Sequence, residues 1–423
     1  MKTRDEHSRQ LFQSQSLLGV TLLALALGLG SASPAYADLE FEPILRAAWD
    51  YDDNAALSVR TDEEEQISGV IGEASVDIRN AFDKGFISLR PMLRSRRYES
   101  EADRDSDDQF LDFRSSYNGV RNDFRFNADY DRESVRTAEL ADADLDTDID
   151  PDDIPDDDTG RISGRERRER IRGTARWGFQ LSSVSVIEAS VNHLDVGYED
   201  QEPLSTLFDY TDTRFRLAYN RSFSPRTSGV IAATARNYNS ERLNADQSGV
   251  GVQLGLTRDL SETVQFRALF GVEDTDVQTA GLVPEDREQN IIGNISIVRN
   301  LETTRLLAQY RQRIAPSGRG GLTRRDEFNL RFTRDLNDRF SAGLGVRAYT
   351  INTLRGDVAE QDFVQLRGQV FWRISQAFSL QADYRYTVIN RELLGEGANA
   401  NRITLWLSYH PMTTGRVRTA SAR

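Results

Sequence analysis

From Leu39 to Pro411 the chain is built from segments of ten to fourteen residues in which polar and apolar side chains alternate. In the stretch from Val264 to Val272, Val264, Phe266, Ala268, Phe270 and Val272 share one parity, while Gln265, Arg267, Gly271 and Glu273 share the other. Phe378, Leu380, Ala382, Tyr384, Tyr386 and Val388 alternate in the same way with Ser379, Gln381, Asp383, Arg385 and Thr387, and Ile403, Leu405, Leu407 and Tyr409 repeat the pattern. A two-residue period over such lengths specifies β-strands with one face in an apolar medium and the other in a polar one.

The segments are punctuated on a regular clock. Short polar turns begin at Arg221 (RSFSP), Arg258 (RDLSE), Arg299 (RNLET), Arg334 (RDLND) and Arg373 (RISQA), at intervals of 37, 41, 35 and 39 residues. Earlier turns at Arg79 to Asp83, Asn118 to Asn122 and Leu181 to Val184 fit the same clock, once the acidic insert at 134–164 is allowed for. Between them lie longer polar segments at 99–107, 134–164, 199–206, 276–287, 315–324, 353–361 and 390–400. Eight tight turns join sixteen strands, and a first and a last strand make eighteen; sixteen is the alternative count. Short turns at one end and long loops at the other are the asymmetry of an outer-membrane barrel. A propeller blade would need four short strands per repeat, where this repeat has two long ones.

These features predict an all-β fold, an antiparallel up-and-down transmembrane β-barrel. Strands of eleven or more residues suit a tilted bilayer crossing, which takes about 9–11. An open sheet edge in lipid would leave backbone groups unpaired, so the sheet must close. Aromatic residues on the apolar parity gather near strand ends, among them Trp49, Tyr51, Tyr117, Tyr130, Trp177, Tyr219, Tyr310, Trp372, Tyr386 and Tyr409, as in the girdles of such barrels. An overall hydrophobic content of only 38% excludes a bundle of membrane helices and is compatible with a barrel, in which every second residue meets lipid. The alternative, a soluble all-β protein, would need no detergent.

The one long apolar run is at the start. Lys2, Arg4 and Arg9 precede Leu17 to Gly30, and Ala35-Tyr36-Ala37 supplies a small-x-small site, so residues 1–37 read as a signal peptide cleaved after Ala37. The barrel then occupies 38–411 and a polar tail 412–423. Removing the leader takes three positive and two negative charges from a formal −14, leaving −15. No nucleic-acid partner is expected of so acidic a chain. The absence of cysteine rules out disulfides and a lipobox, leaving the closed ladder of hydrogen bonds to hold the fold.

The second parity is expected to face inward. It is rich in arginine: Arg125, Arg170, Arg172, Arg176, Arg214, Arg216, Arg267, Arg311, Arg331, Arg347, Arg367 and Arg385 are assigned to the lumen, with Arg94, Arg168, Arg313 and Arg402 on the same parity. Acids sharing that parity include Glu73, Asp77, Asp112, Asp129, Asp131, Glu188, Asp212, Glu273 and Asp383. Two readings stand: a passage biased toward anions, or charges that pair across strands and hold the wall. Residues 142–158 contain ten aspartates. Alternating Asp142, Asp144, Asp146, Asp148 and Asp150 make a weak calcium candidate beside the plainer reading of a solvated loop. No cofactor is called for. After the leader only His193 and His410 remain as histidines, and no serine–histidine–carboxylate grouping, G-x-S-x-G or zinc spacing accompanies them, so the chain reads as no enzyme.

The first strand, Glu42 to Asn54 (EPILRAAWDYDDN), has alternating aromatics ending in an Asp-Asn pair, and RDLS and RDLN turns join aromatic-ended strands. In these features the chain resembles an outer-membrane β-barrel porin family associated with exopolysaccharide and capsule gene clusters of Gram-negative bacteria. The resemblance spans about residues 39–410. It implies a porin-like channel serving passage or export of a saccharide or polysaccharide, with outer-membrane lipid and a periplasmic export protein as partners. The alternative is a structural barrel with a closed lumen that anchors such a partner. Leu405 to Tyr409 has the pattern of a terminal assembly signal, although Met412 to Arg423 follows it.

Overall fold

In a computed structural model the alternating segments form eighteen strands. Residues 38–59, 64–99, 104–138, 166–199, 207–240, 245–278, 286–317, 321–354, 359–391 and 396–411 are described. The expected leader, the tail 412–423 and the candidate calcium residues Asp142, Asp144, Asp146, Asp148 and Asp150 lie outside them.

The first half of the wall comprises β1 (Asp38–Asp52), β2 (Ile67–Phe82), β3 (Gly85–Tyr98), β4 (Ser106–Asn118), β5 (Asn122–Ser134), β6 (Arg167–Ser182), β7 (Ser185–Glu199), β8 (Tyr210–Ser224) and β9 (Thr227–Ser240). The second comprises β10 (Ala245–Asp259), β11 (Val264–Gln278), β12 (Asp286–Asn300), β13 (Thr304–Ser317), β14 (Gly321–Asp335), β15 (Phe340–Thr353), β16 (Ala359–Arg373), β17 (Phe378–Arg391) and β18 (Glu396–Tyr409). One helical turn, α1 (Val135–Ala138), follows β5.

Each strand pairs antiparallel with its sequence neighbours, and β1 pairs with both β2 and β18, so the eighteen-stranded sheet closes on itself. The seam runs from Leu45↔Tyr409 to Asp52↔Arg402. Pro43 falls in the part of β1 that β18 does not reach, where a missing N–H costs no ladder bond on that side.

The burial pattern is inverted relative to a soluble protein. Large apolar side chains on one parity are exposed, including Leu254 at 60% and Leu405 at 41%, while polar ones on the other are buried, with Asp50, Glu327 and Gln365 at 0%. From Leu39 to Trp49 the exposed apolar parity of β1 runs ten residue-to-residue steps. At ~3.3 Å each and a tilt of ~40°, that spans a band about 25 Å tall. Paired aromatics mark both margins: Trp49 stacked with Tyr51 at the loop end, and Phe340 stacked with Trp372 (5.5 Å between rings) and Phe378 tilted against Tyr409 at the turn end.

Several strands run further toward the loop end than their alternation suggests. The segment 315–324, read from sequence as a polar loop, is mostly ladder, paired from Ala315↔Thr323 to Ser317↔Gly321. At this level the outer parity itself becomes charged and forms cross-strand ion pairs, Arg97 with Asp107 (2.8 Å) and Arg132 with Glu199 (2.6 Å). Backbone pairing does not require an apolar face, so the strands continue above the band where the sequence pattern that reveals them has stopped.

Candidate functional site: the charged lumen

Because side chains alternate across the wall, the inner parity of all eighteen strands converges on one interior. There acids sit between arginines of neighbouring strands. Glu73 on β2 receives Arg46 (3.2 Å) from β1 and Arg94 (3.0 Å) from β3. Asp212 on β8 is held by Arg214 (2.9 Å) and by Arg236 of β9 (2.6 Å). Asp383 on β17 lies between Arg367 of β16 (2.7 Å) and Arg385 (2.9 Å).

A further grouping surrounds Glu327 of β14. Arg311 (3.1 Å) and Arg313 (2.9 Å) from β13 share Oε2, while Arg347 of β15 (2.8 Å) and Asn329 (3.0 Å) donate to Oε1. Three guanidinium groups on one carboxylate leave this sector of the wall net positive.

The arginines assigned to the lumen from sequence are placed as follows. Arg170 pairs with Asp131, Arg216 with Glu188, and Arg214, Arg311, Arg347, Arg367 and Arg385 join the groupings above. Arg125 of β5 stands opposite Arg176 of β6 in register, and Arg172 opposite Asp129. Arg267 and Arg331 share the parities of Glu273 and Glu327 on β11 and β14. Glu327, Asp50 and Arg236 were missed; Glu327 shares the parity of Arg331 on β14, while Asp50 and Arg236 lie on β1 and β9, where no inward charge was picked out and only the alternation itself could have found them.

The loop end of the interior is narrowed by chain that folds inward. Pairing of β12 with β13 stops at Gly293↔Gln312, while the β13–β14 hairpin stays paired to its tip. Freed from β12, the tip crosses to β9 and β10. The Tyr238 hydroxyl accepts a hydrogen bond from the Gly321 N–H (2.9 Å) and donates to the Ser317 carbonyl (3.3 Å). Gln247 Oε1 accepts from the Leu322 N–H (3.0 Å), and Arg236 donates to the Ile314 carbonyl (3.0 Å). Gly321, at φ +154°, permits the turn.

Apolar side chains fill in around it. Ile314 and Leu322 of the hairpin cluster with Val135 of α1, Val196, Leu207, Tyr210, Tyr238 and Leu354, all buried. A second cluster joins Leu57, in the segment after β1, to Tyr349, Ile351, Phe363 and Ile389. Asn54 anchors that segment to the wall through the Asn399 carbonyl (2.9 Å), and Arg136 of α1 reaches Asp52 (3.2 Å). Three segments thus fold into the loop end of the interior: the β13–β14 hairpin, α1 and the segment after β1.

Neither histidine lies in the interior groupings. His193 is exposed on the outer parity of β7 and meets the Thr213 hydroxyl (2.8 Å), and the His410 N–H closes the turn end on the Ala377 carbonyl. Among the described residues no group of three or more metal-ligating acids, histidines or cysteines is poised to hold an ion.

No family model and no curated protein matches the chain. Among solved structures, Acinetobacter baumannii OccAB3 is 11% identical with a TM-score of 0.46, over 88% of this chain and 99% of that one. Pseudomonas aeruginosa OpdL is 10% identical with a TM-score of 0.44, over 88% and 99%. A loop-deletion form of OmpT, an outer membrane protein of Vibrio cholerae, is 11% identical with a TM-score of 0.37, over 89% and 100%.

Proposed function

We propose that this chain is a bacterial outer-membrane barrel acting as a porin-like channel for saccharide solutes, its entrance narrowed by the β13–β14 hairpin and its wall biased toward anions. The observation that carries the reading is the inversion of the closed sheet, with Leu254 and its like exposed outside and Glu327 and its like buried inside. A surface of that kind is stable only in lipid, and a lumen lined by guanidinium groups favours entry of negative or hydroxyl-rich solutes over cations.

The apolar parity around a band about 25 Å tall supports placement in a bilayer, with the short turns on the periplasmic side. The inward segments support passage of single small solutes rather than of a free polymer. A role beside an exopolysaccharide export system rests on the family resemblance of the first strand and the turns. Reconstitution into planar bilayers tests the proposal: discrete conductance steps are expected, with a reversal potential in a salt gradient that favours chloride over potassium. A protein that stays monodisperse without detergent overturns it.

A second reading has its own support. The cluster around Tyr238 and Leu322 brings side chains from β7 to β14 into one apolar contact, as a closed, structural barrel would require. Such a barrel, anchoring a periplasmic partner, would show no conductance even with the hairpin shortened.

A further inference from the structure

Beneath the β13–β14 hairpin, against the inner wall from β7 to β13, lies a cavity of about 240 Å³. The geometry points to this cavity as a binding site for one acidic sugar unit, a ring bearing several hydroxyls and a single carboxylate. The inference rests on the saccharide reading above and gives it a place and a charge.

Charge is the first argument. Arg214, Arg216, Arg236, Arg311 and Arg313 line the cavity together with one acid, Glu273. Asp212, Glu188 and Glu327 take ion pairs from these arginines at the margin of the cavity, yet the lining itself presents five guanidinium groups and one carboxylate. An anionic group suits such a lining.

Hydrogen bonding is the second. Four buried polar atoms on lining residues lack a partner: Arg236 Nη2, Thr234 Oγ1, Gln253 Oε1 and Glu273 Oε1. Arg236 is itself only 6% exposed. Buried polar groups are nearly always satisfied, so these mark where a bound species belongs. One is a donor, two accept only, and the threonine does both. A bare carboxylate offers no donors to Gln253 and Glu273; a neutral sugar offers no charge to Arg236. A hydroxylated acid answers both.

Size is the third. At roughly 30 Å³ per water, the cavity holds about eight waters, the scale of one six-membered sugar ring and too little for a chain of them. Ile292 and Ile314 on its lining offer apolar surface for the C–H face of such a ring.

The test is titration calorimetry on the whole mature protein in detergent, with a hexuronate, the matching neutral hexose and acetate as probes. The hexuronate is expected to bind at least about tenfold more tightly than either of the others, the scale set by one buried hydrogen bond to a charged group. Thr234→Val and Gln253→Leu, which remove a partner atom while retaining bulk, should each lower its affinity about tenfold, with retained heat-modifiable mobility showing that the barrel is folded. Equal binding of acetate and hexuronate, or indifference to both substitutions, would overturn the site. So would absent binding in a protein that conducts, which would leave the channel reading intact. Binding in a protein that never conducts would instead remove the channel and leave the site standing.

Discussion

Arg402 on the last strand donates two parallel hydrogen bonds to Asp50 on the first, Nε to Oδ1 at 2.8 Å and Nη2 to Oδ2 at 2.9 Å. Asp50 is fully buried and also accepts from Thr404 (2.8 Å). This pair ties the seam, where β1 and β18 share only eight register pairs. Asp50→Ala would strand the Arg402 guanidinium against the interior at a cost of roughly 3–5 kcal/mol. The temperature at which the barrel loses its compact electrophoretic mobility should fall clearly; an unchanged transition would show that the seam holds without the pair.

Glu327 holds three arginines. Glu327→Gln keeps the shape and one acceptor but removes the charge that holds Arg311, Arg313 and Arg347 together. Stability should drop by several kcal/mol, as for a broken buried pair. In variant protein that still inserts, the reversal potential should move further toward the anion. A shift toward the cation would contradict the charge assignment of this sector.

The Tyr238 hydroxyl supplies two of the hydrogen bonds that dock the hairpin. Tyr238→Phe removes both bonds of that hydroxyl, each worth about 1 kcal/mol, and should give noisier, larger conductance steps. Replacing 315–322 by an Asn-Gly turn, which suits a two-residue hairpin, should raise conductance more. If both variants match the wild type step for step, the hairpin does not constrict the path.

Leu254, exposed on β10, sits mid-strand on the outer face. In a bilayer Leu254→Arg should destabilise by about 2–4 kcal/mol, read from denaturant unfolding in lipid vesicles. In a soluble barrel the same change would be neutral or favourable. The comparison therefore checks the medium independently of conduction.

Export should leave Asp38 as the first residue. Intact-mass measurement of protein from outer membranes is expected to show a chain lacking residues 1–37. A mass that retains them would mean that the apolar run from Leu17 to Gly30 is not cleaved.

The wall of this protein was legible in its sequence because what defines a barrel strand is local. Alternation along Val264 to Val272 or Phe378 to Val388 records, residue by residue, which medium each side chain meets, and the RDLS-type turns count the strands. Eighteen followed from that count, and β1 to β18 are the eighteen found. The same parity assigns each arginine a face, since position on a strand fixes it.

What lay beyond the sequence depends on distance between strands and on shear. Glu327 reaches Arg311, Arg313 and Arg347 because β13, β14 and β15 pair in one particular register, and no pattern within a strand encodes its stagger against another. The inward hairpin is subtler still. Gly321 and Leu322 sit in a stretch that reads as a loop. Their hydrogen bonds to Tyr238 and Gln247, eighty-three and seventy-five positions earlier in the chain, exist only once the barrel has closed. Alternation tells a residue which side of the wall it is on; only closure decides what it meets across the lumen.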